Sequence, residues 1–444
     1  MEIPKIVPGE SFCRRFQCTA GSCLFTCCQQ WIISVDQDTE RRWRKIPVSR
    51  LPGMEEPDSR LDRNLAAGAS GSGSRTETAE TKIRSTDPGS HGRKQSLAEA
   101  GICTDRGSGI RKIRLNRDGC CPFLTGKSLC GVQVAMEDQN DIPQTCRVFP
   151  RIQKEYPDRT EYSLSACCPE VIRMALEMPE GFPDLLREFC DPDVSDFLYQ
   201  VRRQVLCILA DESIPLRSAV LAAAYVLLDI RDRIEEDRRK NGGKRNISSP
   251  EAGWFQKYEA PDFRDSLLSA VSKAAPDEGD SFRENLELFL DLTENYHRAG
   301  MYSADLGPAR DAAGKLCGEN GRSGRDPGAE TTMFSLTDAA DPDDRPLRAL
   351  ILLECVSQLV TESSGFRNLI LTYEWIVLEL SLARTMRYLC SPPGGHTGSP
   401  ESELRLLTEA SRIMGFPESD IFAYMESAFD EPVWSWGYYD LVMG

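Results

Sequence analysis

Seventeen cysteines in 444 residues are the side chains best suited to chemistry in this chain, and they are unevenly placed. Twelve lie between Cys13 and Cys168, whereas Cys190, Cys207, Cys317, Cys355 and Cys390 are scattered and read as ordinary small residues of core or surface. The opening MEIPKIVPGE has no apolar core of an export signal, and the longest apolar run, Ala219 to Leu228, falls far short of the ~20 residues that cross a bilayer. The expectation is a cytoplasmic protein with no membrane association. Thiols stay reduced in that setting, so the cysteines are expected to bind zinc or an iron–sulfur cluster, both of which soft thiolates select, rather than to form disulfides. The three histidines, His91, His297 and His396, lie in or beside polar segments, which disfavours histidine-based zinc sites.

Spacing refines the choice. The opening reads Cys18-x4-Cys23-x3-Cys27-Cys28-x2-Trp31. If Cys23 to Cys27 is one helical turn, the two sulfurs share a face and suit one metal, with Cys28 pointing about 100° away from Cys27. The later group is Cys121-Pro-Phe-Leu, Cys130, Cys146-Arg-Val-Phe-Pro-Arg151 and Ser165-Ala-Cys-Cys168-Pro-Glu170, each beside Pro, Gly or a short apolar anchor. A CxxC…CxxC zinc ribbon is absent, and the thiols suffice for one or two sites of four; a structural zinc site that only staples a small domain fits the same spacing. Arg147 and Arg151 can hold a carboxylate, although a structural role neutralising thiolate charge or capping a helix is favoured.

These residues require elements to position them. The predicted fold is mainly α, with a cysteine-rich metal-binding N-terminal domain of irregular loops and a C-terminal helical bundle. The cysteine-rich domain is assigned to residues 1–48 and 113–190, folding together across a low-complexity insert at 49–112 that has too few large apolar residues to offset the entropy of ordering. VIRMALEM reads as a short helix. Residues 191–444 form the all-helical domain, with polar loops expected at 238–253 and 303–344. Its clearest helix carries Leu216, Ala219, Val220, Ala223, Leu227, Ile230 and Ile234 at helical spacing; DSFRENLELFLDLTENY, RPLRALILLECVSQLV, NLILTYEWIVLELSLARTMRYL and ESELRLLTEASRIM repeat the pattern, giving six to eight helices.

Taken together, F-x-C18, S-C23, T-C27-C28-x-x-W31, C121-P-F-L, L-C130-G-V-Q, C146-R-V-F-P-R151 and L-S-x-x-C168-P-E resemble the flagellin lysine-N-methylase family of bacterial zinc- or iron-chelating cysteine-cluster proteins. The resemblance runs over about residues 12 to 175. It implies methyl transfer from S-adenosylmethionine to lysine side chains of flagellin, with an iron–sulfur cluster, of the 4Fe–4S type, held by the cysteines. By matching position its candidate ligands are Cys18, Cys23, Cys27, Cys28, Cys121, Cys130, Cys146 and Cys168; Cys13, Cys103, Cys120 and Cys167 fall outside the pattern.

Other signals bound this reading. No Gly-rich turn follows a strand and opens a helix as a nucleotide-binding α/β fold requires, and CxxxCC stands where a radical-type CxxxCxxC would be, so cofactor binding rests on the resemblance. Lysine methylation requires a desolvated pocket with an acid or a tyrosine to handle the amine proton. A net charge of −16, from 53 basic and 69 acidic residues, opposes a nucleic-acid partner. The competing expectation is a non-enzymatic module whose cysteines bind zinc or iron and whose helical half docks a partner.

Overall fold

The computed structural model describes residues 7–51, 95–105, 109–240, 253–274, 276–320, 344–361, 365–390 and 399–444. The middle of the expected insert and the greater part of both expected polar loops lie outside these residues.

The chain is mainly helical. Leu216–Lys240 buries the predicted stripe from Leu216 to Ile234 and ends on Arg238, Arg239 and Lys240, whose charges suit a helix C-terminus. Phe366–Cys390 is buried around its whole circumference from Leu369 to Ala383, as a helix enclosed by others is. It packs against Arg345–Gln358, Pro400–Met414, Glu418–Ala428, Glu278–Arg298 and Ser303–Asn320. The short helix expected at VIRMALEM is Pro169–Leu176, with Pro169 in its first turn.

Two pairs of short antiparallel strands complete the fold: β1 (Ile102–Thr104) with β2 (Arg111–Ile113), and β3 (Arg151–Glu155) with β4 (Thr160–Leu164). On β4, Glu161 lies between two buried arginines, accepting from Arg159 Nε at 2.5 Å and Arg202 Nη1 at 2.8 Å. This triad fastens β4 to helix Phe197–Leu209.

Two expectations are corrected. The stretch 303–344 does not begin as a loop, because Ser303–Asn320 is a helix that buries Leu306, Ala309 and Ala313 on one face. Its apolar residues are few and interleaved with Gly, Pro and Asp, which hides the stripe. Likewise 49–112 is not uniformly without structure. Ser96 and Glu99 form a capping box that starts helix Leu97–Gly101, Leu97 is fully buried, and β1 and β2 follow.

The hydrophobic interior is divided in two. A large core joins the helical body to Phe12, Phe16, Phe25, Leu164 and Cys168, so the edges of the expected cysteine-rich domain belong to the helical body. A small core contains Cys28, Ile33, Trp43, Leu97, Ile113, Cys121, Phe123 and Ile142, with Cys27, Cys130 and Cys146 packed against it. The boundary between the two runs between Phe25 and Cys28.

Candidate functional site

Cys27 and Cys28 occupy the two central positions of a turn closed by the Gln29 amide, which donates to Thr26 O at 3.2 Å. The helical turn expected from Cys23 to Cys27 is not formed; Cys23 is extended, at φ −67° and ψ 129°, after the short 3-10 helix Ala20–Ser22. The turn is held to the later cysteine segment by the Cys121 amide, which donates to Cys28 O at 2.7 Å, and by the Gln30 amide, which donates to Gly119 O at 2.8 Å. These hydrogen bonds join the turn to the Gly119–Cys121 segment through the backbone itself.

The side chains converge as well. The thiols of Cys27, Cys121 and Cys130 all lie within hydrogen-bond reach of the Cys28 sulfur, and Cys146, on helix Gln144–Val148, lies beside Cys27, Cys121 and Cys130. Cys28 is therefore the hub of the group rather than the member that points away. Cys130 occupies the N-cap position of helix Gly131–Ala135, where the Gln133 and Val132 amides lower its pKa. The hydrogen bond from Cys28 holds the Cys130 thiol down at about 6 against the opposing effect of burial, and holds Cys27 down at about 7 in the same way, with Arg412 assisting. Cys28 itself is pushed up by its neighbouring sulfurs, and Cys146 by burial.

The remaining candidates are placed apart. Cys23 and Cys168 lie within electrostatic reach of each other, with Cys168 pushed up to about 12 by burial despite the Glu170 and Val171 amides at the start of its helix. Cys18 is exposed and accepts from the Ala20 amide at 3.4 Å. Among the cysteines outside the family pattern, Cys13 donates to Ser163 O at 3.3 Å, Cys120 reaches Asp118 O at 3.6 Å, and Cys167 is 3.4 Å from Ser411 Oγ. All 17 cysteines are free thiols.

The donor chemistry suits a soft ion or cluster: five neighbouring thiols with no histidine beside them among the described residues. A four-iron cluster needs about four such ligands. Among the described residues, no three or more His, Cys, Asp or Glu side chains are arranged to hold a metal ion.

Trp31 covers one side of the turn, its indole donating to Cys27 O at 2.7 Å and its ring meeting Phe149 at 4.9 Å. The two arginines singled out by sequence stand elsewhere. Arg147 reaches Asn140 Oδ1 at 3.0 Å, and Arg151 lies over the Phe16 ring and donates to Phe16 O at 3.3 Å. The arginine at the site is Arg412, from helix Pro400–Met414. Next to it Ser411 Oγ donates to Glu354 Oε1 at 2.8 Å, and Glu354 and Glu379 form a buried carboxyl pair, both raised by burial. The open apolar groove of about 660 Å³ lined by Tyr225, Phe263, Leu267, Val271 and Trp436 carries no thiol or carboxylate and lies outside this chemistry.

Among the described residues no helix is long and apolar enough to cross a membrane. No protein-family model matches the chain, and no solved structure matches it. Three curated proteins are similar over 175 residues, 39% of this chain. A lysine-N-methylase of Salmonella typhimurium strain LT2 is 25% identical, and one of Salmonella choleraesuis strain SC-B67 is 24% identical; the match covers 33% of each. A flagellar biosynthetic protein FliU of Salmonella muenchen is 24% identical over 79% of its length. The chain thus matches about a third of each lysine-N-methylase.

Proposed function

We propose that this protein transfers methyl groups from S-adenosylmethionine to lysine side chains of flagellin in the cytoplasm, using an iron–sulfur cluster of the four-iron type. The observation that carries the reading is the convergence of Cys27, Cys121 and Cys130 on Cys28, with Cys146 beside them, in a chain similar to proteins named for lysine methylation and flagellar biosynthesis. Cys27, Cys28, Cys121 and Cys130 would hold the cluster, with Cys146 as the alternative fourth ligand. Bound there, it supplies electrophilic iron in a site whose hydrogen bonds and burial tune it.

In the transfer the lysine amine gives its lone pair to the methyl carbon, the carbon–sulfur bond of the sulfonium breaks with its electrons left on sulfur, and the amine releases a proton. The chain contributes aromatic cover beside the turn from the buried Phe25 and the partly buried Trp31 and Phe149. Thiolate ligation displaces protons from the cysteines, so loading is favoured as pH rises.

The test is anaerobic purification with iron, sulfide and zinc measured per chain, then incubation with labelled S-adenosylmethionine and unmethylated flagellin. The expected result is about four irons and four sulfides, lost on Cys28→Ser and kept on Cys18→Ser, with label on flagellin lysines. A single zinc and no colour would leave the competing metal-binding module as the better account; a loaded cluster with no transfer would remove the enzymatic reading alone.

A further inference from the structure

Arg412 is 3% exposed, and its guanidinium is spent on the cysteine turn from a helix some 380 residues later in the chain. Nε donates to Cys167 O at 3.0 Å. Nη1 donates to Thr26 O at 3.1 Å and to Gln29 O at 3.0 Å, the two ends of the turn that presents Cys27 and Cys28. Nη2 donates to Phe25 O at 3.0 Å. The cation also lies 4.0 Å from the Phe25 ring centre and 5.1 Å from that of Trp31.

Two features separate this arginine from an ordinary structural one. Its partners are four carbonyl oxygens and no carboxylate, so a buried positive charge is left uncompensated by any acid in hydrogen-bond contact, an arrangement that is costly unless a negative charge lies nearby. The groups within its electrostatic reach include the sulfurs of Cys23, Cys27, Cys167 and Cys168 and the Tyr302 hydroxyl. A tetrathiolate centre is anionic overall, and buried sites of that kind are shaped by the groups around the ligands as much as by the ligands.

We infer that Arg412 is the positioning residue of the cysteine centre: its planar fork fixes the Thr26–Gln29 turn that presents Cys27 and Cys28. Lysine supplies the charge without the fork, and glutamine supplies neither. This rests on the proposal that the cysteines hold a metal, and the test separates the two. Arg348 serves as a control, since it is equally buried and clamps carbonyls, Leu209 O at 2.6 Å among them, but belongs to the helical body.

Full-length parent, Arg412→Lys, Arg412→Gln and Arg348→Gln proteins are stripped of metal and titrated with zinc against a chromogenic chelator, with amide hydrogen exchange of Thr26–Gln29 measured in the metal-free state. The expected result is a loss of zinc affinity of about 100-fold in Arg412→Gln and about tenfold in Arg412→Lys, the range found for groups supporting metal ligands. Arg348→Gln keeps parental affinity even where it lowers the melting temperature. Exchange at Gln29 speeds up in both Arg412 variants and not in Arg348→Gln. Equal affinity in all four proteins, or equal losses in the three variants, overturns the inference. A parent that takes up no zinc defeats the metal reading, and the exchange data then decide alone whether Arg412 holds the turn.

Discussion

Glu374 offers the sharpest test of the helical body, because its carboxyl is fully buried in helix Phe366–Cys390 with only half of its capacity used. Oε1 accepts from the Trp434 amide at 2.7 Å and from Tyr439 Oη at 3.2 Å, while Oε2 has no partner. Burial outweighs those two hydrogen bonds and raises the group from 4.5 to about 8. The folded protein therefore holds a proton there that the unfolded chain releases above about 4.5, and stability must fall as pH rises through that window. Between pH 5 and 8 the difference in proton binding amounts to about 2.6 pH units, or about 3.5 kcal/mol at 1.36 kcal/mol per unit. Glu374→Gln retains an oxygen for Trp434 and Tyr439 and cannot titrate. Urea unfolding of parent and variant at pH 5, 6, 7 and 8 should give curves that diverge by about 3–4 kcal/mol across the series, the variant gaining on the parent as pH rises. Parallel curves would show that the carboxyl is ionised in the folded state and that the burial argument is wrong.

Glu161→Gln leaves the Arg202 guanidinium buried without its anion, while Arg159 keeps Asp158 and Asp196, and an unfolding free energy lower by about 3–5 kcal/mol is expected in denaturant titration. Ser96→Ala removes the cap of helix Leu97–Gly101 and should cost about 1 kcal/mol, read as faster amide exchange at Leu97–Gly101 with no change in the helical body.

The helices were legible where their apolar stripes are dense. Leu216, Ala219, Val220, Ala223, Leu227, Ile230 and Ile234 all point inward as their spacing requires, whereas Leu306, Ala309 and Ala313 are too small and too diluted to announce the helix that carries them. The cysteines were legible as a class but not as a geometry. Sequence treats Cys23 and Cys27 as a helical pair and sets Cys28 aside, because a residue spacing fixes a direction only once the backbone conformation is known; in the Thr26–Gln29 turn the order is reversed. Arg412 was missed for a different reason. Its signal is an arginine on the same helical face as Leu404 and Thr408, both interior, and an isolated charge on such a stripe is easily read as the edge of the solvated face. Its partners are backbone carbonyls at positions 25, 26, 29 and 167, and a carbonyl has no sequence signature.

The position of the cysteine group between two cores has a thermodynamic consequence. The elements that carry or adjoin its cysteines include a four-residue turn and the helices Gly131–Ala135 and Gln144–Val148, each of five residues, far below the length at which a helix is stable alone. The small core around Trp43, Leu97 and Phe123 must order them with few large side chains, while the helical body has its own extensive interior. A metal bound by thiolates adds its binding free energy to the small unit alone, since only that unit changes its ligands. Removing metal with a chelator should therefore speed amide exchange across Thr26–Leu51 and Leu97–Cys146 and leave helix Phe366–Cys390 protected. Simultaneous loss of protection in both units would mean that they unfold as one, and that the Arg412 clamp couples them more strongly than the division of their cores implies.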